Sequence, residues 1–366
     1  MSQYLNDWFI FVNVIAANPW PPFIFALVIG VPSMLLYFVE FGIVLFTRLL
    51  SYKQFNSAFF TLFLFRATVN LINYFVTYMY NRFGRVGILM NSYLKFSPLA
   101  LAFWLFLNFY CYHCENLITC FILVNRLTSI LFPNRQKLIW KYLLPISILL
   151  TLSLPIPFLI HAFLYHHLAY VWIDPRNNLS FTLSYKREPG IEYISDSYLC
   201  AASAVLFLII CGFLNISAII AYKLKKRKYE NVKRGARVSK SVYAIEEEKI
   251  QIRLHIYAFL TFLGQLLMCI FLIIIYQCSM IYDIKDPRST IYLATFNQFS
   301  WISDISSIVI PAWLILWAST LLREIVMDLV YRTIGRPFNY VWRRVVGIEA
   351  ISVSPGITTS FFQRVT

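Results

Sequence analysis

The sequence predicts an all-α integral membrane protein built as a bundle of seven transmembrane helices. Two observations lead to this fold class: 59% of the 366 residues are hydrophobic and only 13% are charged, and the apolar residues fall into seven long runs. Soluble domains carry about 25% charged residues, and a chain this apolar would leave too much hydrophobic surface in contact with water. Lipid is therefore the predicted solvent.

Each of the seven apolar runs is long enough to be a spanning helix, because about 20 mostly apolar residues cross a hydrocarbon core of about 30 Å. The runs are continuously apolar, whereas the strands of a membrane barrel would alternate apolar and polar residues. They divide the chain into an N-terminal segment (1–22), a bundle (23–322) and a tail (323–366) that begins with a short amphipathic helix. The runs are 23–46, 57–80, 99–124, 142–164, 198–222, 256–281 and 293–317.

The basic residues predict that the N-terminus lies outside the cell and the C-terminus inside. The first, third and fifth loops and the tail hold 23 of the 32 Lys and Arg residues, 11 of them in the fifth loop. Segments rich in Lys and Arg stay on the cytoplasmic side. The glycosylation sequon at Asn178 then lies in an extracellular loop. A net charge of +15 that sits between apolar runs indicates contact with anionic membrane lipids, not with nucleic acid.

Glu40, Arg66, Glu115 and Asp304 are ionisable residues inside the predicted spans. They are candidates for function because a charge within the hydrocarbon is costly. Arg66 and Glu115 each lie nine residues from the same side of the membrane, at a depth of about 14 Å if each residue rises 1.5 Å. We therefore predict that Arg66 and Glu115 form an ion pair, with Glu40 and Asp304 as competing partners. Such a pair either stabilises the fold alone or also takes part in signalling.

Two further sets of residues are functional candidates, one for a ligand and one for an intracellular partner. Pockets between helices are lined by apolar and aromatic groups with a few polar ones, and ordinary helix packing would produce a similar set. Basic residues at the inner ends of helices serve either a switch and docking surface or simple anchoring to lipid. The ligand candidates are Trp104, Asn108, Tyr276, Asn297, Trp301 and Asp304, and the coupling candidates are Asn125, Arg126, Lys225, Lys226 and Arg227.

The segment from Asn125 to Pro133, followed by Ile139-Trp140-Lys141, resembles the end of the third helix and the second inner loop of the nematode serpentine chemoreceptors of class gamma. The pair Ser303-Asp304, followed by Pro311 and Arg323, is similar to the last helix of that family. The resemblance extends over residues 22–336, and the segment that begins at Asn125 is its most specific part.

This resemblance implies a receptor like the G-protein-coupled receptors, with a small odorant or pheromone-like ligand and a heterotrimeric G protein as partners. It also implies the plasma membrane, including the sensory cilium of chemosensory neurons. In the family's pattern Arg126 stands where rhodopsin-like receptors carry an arginine at the end of the third helix. The Asp-Arg-Tyr and Asn-Pro-x-x-Tyr motifs of that larger group are missing here, as is its cysteine at the outer end of the third helix. Cys200 and Cys278 either pair or stay free.

A seven-helix transporter is the alternative that the sequence leaves open. Transporters built from repeats show matching Gly or Pro interruptions in both halves, and Pro32 in the first span has no counterpart in the fifth. A retinal-binding pump is excluded because the seventh span contains no Lys for a Schiff base. The five His residues fit polar positions at helix ends better than a metal site. The sequence predicts no catalytic residue, no metal and no cofactor.

The predicted orientation is tested by tagging both ends of the chain. In intact cells an N-terminal epitope should be stained, and a C-terminal epitope should be stained only after the membrane is permeabilised, because an odd number of spans separates the two ends. Replacement of Asn178 by Gln should abolish the gel shift produced by an endoglycosidase. Staining of both epitopes in the same compartment would contradict the topology.

Overall fold

The computed structural model describes residues 18–49, 55, 57–173, 180–185, 196–235, 242–281 and 289–331. Within these ranges, seven helices are long and apolar enough to cross a membrane, which confirms the predicted fold class. A further helix, α8, follows them (Thr320–Val330). The seven are α1 (Trp20–Leu49), α2 (Ala58–Arg85), α3 (Pro98–Leu131), α4 (Gln136–Leu164), α5 (Asp196–Gly235), α6 (Val242–Ile281) and α7 (Ser289–Asp304, then Ile305–Val309 and Ile310–Ala318).

Successive spans run in opposite directions, so the bundle has two faces. We call the one where α1 begins the N-terminal face and the one where α1 finishes the C-terminal face. Even-numbered spans begin at the C-terminal face and odd-numbered spans end there. The first residues of α2, the last residues of α3 and the start of the apolar part of α6 therefore all lie at the C-terminal face.

α3 is the central helix of the bundle and packs against α2, α4, α5 and α6. In the most apolar 18-residue stretch of each helix, two thirds of α3 is buried in protein, compared with 22% of α4 and 28% of α5. The start of α3 is fixed by Ser97, whose hydroxyl accepts a hydrogen bond from the Ala100 backbone N–H at 3.3 Å, with Pro98 in the first helical turn. Because protein surrounds it, α3 can carry polar side chains that lipid-facing helices cannot.

α2 ends five residues beyond the apolar run that predicts it. A π-helical turn, Tyr78–Arg82, and a final α-helical turn, Phe83–Arg85, continue the helix past Tyr80. π-Turns are rare and occur frequently at functional sites. Arg82, which the sequence places in a loop, is therefore part of the helix and is buried within the bundle.

A β-hairpin covers part of the N-terminal face after α4. Its strands, β1 (Ala169–Ile173) and β2 (Phe181–Tyr185), pair antiparallel with Ile173 opposite Phe181. An isolated hairpin is marginally stable, and this one is anchored by the Phe181 side chain, which is 1% exposed and packs on the Tyr93 ring with centroids 5.1 Å apart.

Tyr93 is itself held in place by its hydroxyl, which donates a hydrogen bond to the Met79 carbonyl. Burial raises the pKa of Tyr93 to about 12, so the hydroxyl keeps its proton at neutral pH. Tyr93, Phe181 and Leu183 form one apolar cluster with Leu101 and Leu105 at the start of α3. This cluster fastens the hairpin to the helices, and Cys200 and Cys278 do not form a disulfide with each other.

α8 is amphipathic and belongs, from Leu321 onward, to a unit of its own. Leu322 and Val326 on one side of the helix are buried, and Arg323 and Glu324 are exposed. This helix lies where the sequence predicts a short amphipathic helix at the start of the tail.

A substitution at Gly84 tests whether Phe181 anchors the hairpin to the helices. A Cβ atom there would lie 2.5 Å from the Phe181 carbonyl oxygen, so Gly84→Ala should push the hairpin away and cost roughly 1–3 kcal/mol. We expect a lower thermal midpoint of unfolding for the purified protein. Gly42→Ala is the matched control, because a Cβ atom at Gly42 meets nothing within 4 Å. Equal midpoints for the two variants would contradict the anchor.

Candidate functional site

Two ion pairs lie inside the bundle, among the residues that the structure describes, and both arginines come from α2. Arg66 Nη2 lies 3.3 Å from Glu115 Oε1 of α3, with side-chain exposures of 0% and 3%. Arg82 pairs with Asp304 of α7, and each of these side chains is 1% exposed. A buried charge that lost its partner would cost several kcal/mol, so the two pairs fix the rotation of α2 relative to α3 and α7.

Asn70 extends the Arg66–Glu115 pair to α7. Its Nδ2 donates to Glu115 Oε1 at 3.5 Å and to the Ser307 carbonyl at 2.5 Å. Pro311 has no N–H, so the helical hydrogen bond that residue 311 would normally donate to the carbonyl four residues earlier, at Ser307, is missing. Asn70 therefore satisfies a carbonyl that proline leaves open, which is how membrane helices tolerate proline.

Arg82 and Asp304 form a bidentate ion pair. Arg82 Nη1 donates to Asp304 Oδ2 at 2.7 Å, and Nη2 donates to Asp304 Oδ1 and, at 3.2 Å, to the Ser300 carbonyl. The guanidinium also lies over the rings of Tyr78 and Tyr74, with Cζ 4.3 and 5.3 Å from their centroids. Bidentate pairs of this kind are strong and directional. Asp304 immediately precedes the π-turn of α7, and Arg82 ends the π-turn of α2.

Gly30 lets α1 approach this pair closely. A Cβ atom at Gly30 would lie 2.6 Å from Asp304 Oδ2 and 2.9 Å from the Tyr74 hydroxyl. Any larger residue would displace the carboxylate that holds Arg82. The Arg82–Asp304 pair is thus enclosed by α1, α2 and α7.

α3 and α6 are joined by neutral polar groups and border a narrow cleft. Gln265 Nε2 donates to Thr119 Oγ1 at 2.9 Å, and Thr119 donates to the Glu115 carbonyl at 2.9 Å. The cleft has about 190 Å³ of empty space between atoms but is too tight for a water molecule, and its lining residues are Tyr112, Glu115, Asn116, Gln265, Met268 and Cys269. No three His, Cys, Asp or Glu side chains come together as metal ligands in the described part of the chain.

Arg126 lies at the C-terminal face, five residues before the end of α3, and is 4% exposed. Its Nη2 donates to Asn125 Oδ1 at 3.3 Å, and its guanidinium lies over the Phe59 ring with Cζ 4.0 Å from the centroid. Of the other coupling candidates, Lys225 and Arg227 are exposed on α5. Lys226 is on the same helix, but its side chain is outside the described part, as is the whole of Asn178.

The predicted ligand residues do not converge on one pocket. Asp304 is occupied by Arg82, and Trp301 donates to Gln298 at 2.7 Å and packs against Phe25. Trp104 packs against the hairpin cluster, and Tyr276 packs against Tyr198 of α5 with ring centroids 5.7 Å apart. Asn108 is half-buried and Asn297 is buried.

Sequence reasoning missed Arg82 because the apolar run ends at Tyr80. The spacing of Tyr74, Tyr78 and Arg82 was the available signal, since residues four apart share one side of a helix. Two aromatic rings followed by an arginine at this spacing indicate a helix that continues to residue 82.

Comparison with known families identifies the chain. The family model of the serpentine type 7TM GPCR chemoreceptor Srv matches residues 25–331. The chain belongs to this family. It is a multi-pass chemosensory receptor of the GPCR type, as predicted, and the family is one of receptors, neither transporters nor enzymes. No curated protein matches the chain.

The assignment to class gamma is wrong, because Srv is a different family of nematode chemoreceptors. The segment from Asn125 to Pro133 covers one helix end and the start of one loop. Families that share a fold also share constraints at such a position, so a short segment there indicates the fold and not the class. The match over residues 25–331 samples all seven spans of this Srv receptor.

Removing one partner of the Arg66–Glu115 pair should destabilise the receptor more than removing both. Arg66→Met or Glu115→Gln alone leaves a buried polar group uncompensated, at a cost of roughly 3–5 kcal/mol, and the double variant removes both. We expect surface expression to fall strongly in each single variant and to recover partly in the double one. Glu324→Gln, at an exposed acid of α8, is the control. A double variant no better expressed than Arg66→Met would show that the pair is not coupled.

Proposed function

We propose that this Srv receptor lies in the plasma membrane of chemosensory neurons, including their sensory cilia, with its N-terminal face outside the cell. It binds a small odorant or pheromone-like molecule and activates a heterotrimeric G protein. The observation that carries the coupling proposal is that Arg126 and the basic extension of α5 lie at the same face. The predicted orientation makes that C-terminal face cytoplasmic.

The extensions of α5 and α6 support a docking surface for the G protein. The apolar span of α5 ends at Lys225, but the helix continues for 10 residues to Gly235, which is about 15 Å at 1.5 Å per residue. α6 likewise begins 14 residues before its span, at Val242. The extension of α5 projects beyond the membrane on the face of Arg126, and with Lys225 and Arg227 exposed it suits an acidic protein partner.

The charge balance of the interior supports an uncharged ligand. Arg66 and Arg82 are each paired with a carboxylate in the described part of the bundle. A charged ligand that took one of these arginines or its carboxylate as a counter-ion would have to break the pair. The hydrogen-bonding groups that line the cleft between α3 and α6, such as those of Tyr112 and Asn116, are neutral. Because the cleft is too tight for a water molecule, the two helices would have to move apart before these groups could hold a polar group of a mostly apolar molecule.

The predicted ligand residues stay candidates for contacts nearer the N-terminal face, and they are Trp104, Asn108, Tyr276, Asn297, Trp301 and Asp304. Anionic lipids remain expected partners of the basic C-terminal face. The sequon at Asn178 stays a prediction and fits the orientation, since the strands on either side of it lie at the N-terminal face.

Coupling is tested in a reporter cell that expresses candidate Gα subunits and is exposed to a panel of volatile and pheromone-like compounds. Arg126→Ala should lower the maximal response at least about tenfold at equal surface expression, because it removes the guanidinium offered to the G protein. The control is Arg135→Ala, which removes an exposed arginine nine residues further along the chain. A full response from Arg126→Ala would exclude Arg126 as the coupling residue.

A further inference from the structure

Glu40 of α1 is a buried acid that belongs to neither of the two ion pairs in the described part of the bundle. It lies nine residues before Leu49, where α1 ends, at a depth of about 14 Å if each residue rises 1.5 Å. Its exposure is 0%, and neither carboxyl oxygen has a hydrogen-bond partner among the described residues. The sequence suggests Glu40 as a competing partner of Arg66, but the structure pairs that arginine with Glu115.

The groups that surround Glu40 are hydroxyls, which carry no charge. Tyr37, three residues earlier on α1, and Tyr257 of α6 both interact electrostatically with Glu40, and both are 0% exposed. α1 also packs on the π-turn of α7, Ile305–Val309, where the Ser306 hydroxyl is buried. A hydroxyl can share a hydrogen bond with a neutral carboxyl group, but it cannot neutralise a carboxylate.

The charged groups on the helices around Glu40 each have another partner. An ionised Glu40 would therefore be a further charge in the bundle interior with no counter-ion, which is far more costly than a neutral acid at the same place. A carboxyl group in such a setting avoids the cost by taking up a proton. The partnered groups are Arg66 with Glu115, Arg82 with Asp304, Arg48 with the Thr61 hydroxyl, and Arg126 with Asn125 and the Phe59 ring.

We propose that Glu40 is a proton-binding site, whose carboxyl carries a proton while the bundle encloses it and releases the proton when water reaches the group. The release moves one proton and no electrons, from the carboxyl O–H to a water molecule, which becomes hydronium. Because the enclosed carboxyl binds its proton more tightly than a hydrated one, low pH favours the enclosed bundle. The proton is thus a ligand that stabilises this conformation, whether or not an odorant or a G protein is bound.

The first test is the infrared spectrum of the purified full-length protein in a maltoside detergent, which contains no carbonyl group. A glutamate in water is ionised at about pH 8, so the unmodified protein should show the carbonyl band of a protonated acid at this pH only if an acid is shielded from water. We expect Glu40→Gln to remove this band and Glu40→Asp, which keeps an acid, to move it. Glu324→Gln, at an exposed acid of α8, should leave it unchanged. An unmodified protein without the band, or a band that neither Glu40 variant alters, would overturn the proposal.

The second test follows the thermal midpoint of unfolding between about pH 5.5 and about pH 8. Unfolding brings Glu40 into water, where it loses its proton. Each rise of one pH unit should therefore shift the unfolding equilibrium of the unmodified protein by up to about tenfold toward the unfolded state, relative to Glu40→Gln. Glu40→Asp should follow the unmodified protein. The histidines titrate in the same range, but they are present in every variant and cancel. Parallel curves for the unmodified protein and Glu40→Gln would contradict a bound proton.

A monovalent metal ion is the competing occupant, because sodium would neutralise an ionised Glu40 as a proton does. Both measurements are therefore repeated with sodium chloride in place of choline chloride at equal ionic strength. A proton site predicts the acid band in both salts and no effect of sodium that depends on Glu40. Loss of the acid band in sodium, with a thermal midpoint that sodium raises in the unmodified protein but not in Glu40→Gln, would replace the proton by a metal ion. Neither measurement uses a G protein, so they decide this site even if the proposed coupling fails.

Discussion

Lipid supplies no hydrogen bonds, so each charge and each open backbone carbonyl inside this bundle needs a partner from another helix. α2 supplies most of these partners. Its Arg66 and Arg82 pair with Glu115 and Asp304, and its Asn70 occupies the Ser307 carbonyl that Pro311 leaves open. Because the two arginines are 16 residues apart, about 24 Å along the helix, α2 is fixed to α3 near mid-depth and to α7 nearer the N-terminal face.

The sequence predicts the helices and one of the two ion pairs, because both depend on how far each residue lies along a straight helix that crosses the lipid. Apolar length predicts a span, and depth counted along straight helices predicts which charges can meet, as it did for Arg66 and Glu115. Arg82 and Asp304 could not be found in this way, because Arg82 lies two residues beyond its apolar run and is brought into the bundle by a π-turn. The stacking of Arg126 on Phe59 depends on the rotation of two helices about their axes, which hydropathy does not determine.

The paired charges also limit how a ligand can act on this receptor. A molecule that binds among α3, α6 and α7 meets acids already neutralised by arginines of α2, so it cannot gain much from a charge of its own. Its effect has to come from packing and from neutral groups such as those of Asn116 and Gln265. Gln265 links α6 to Thr119 of α3, so a ligand that spreads or tightens this contact changes the position of α6 directly.

The surroundings of Arg82 and Arg126 give the two halves of the bundle different mechanical roles. Arg82 is held by two directional hydrogen bonds to a carboxylate and is closed in by α1 at Gly30, so opening that pair would leave two buried charges. Arg126 lies over a ring face, which is a weaker contact than a bidentate ion pair. A receptor needs one region that keeps its shape while another changes partners. The bidentate pair suits the first role, so α1, α2 and α7 stay joined around Asp304 while contacts at the C-terminal face change.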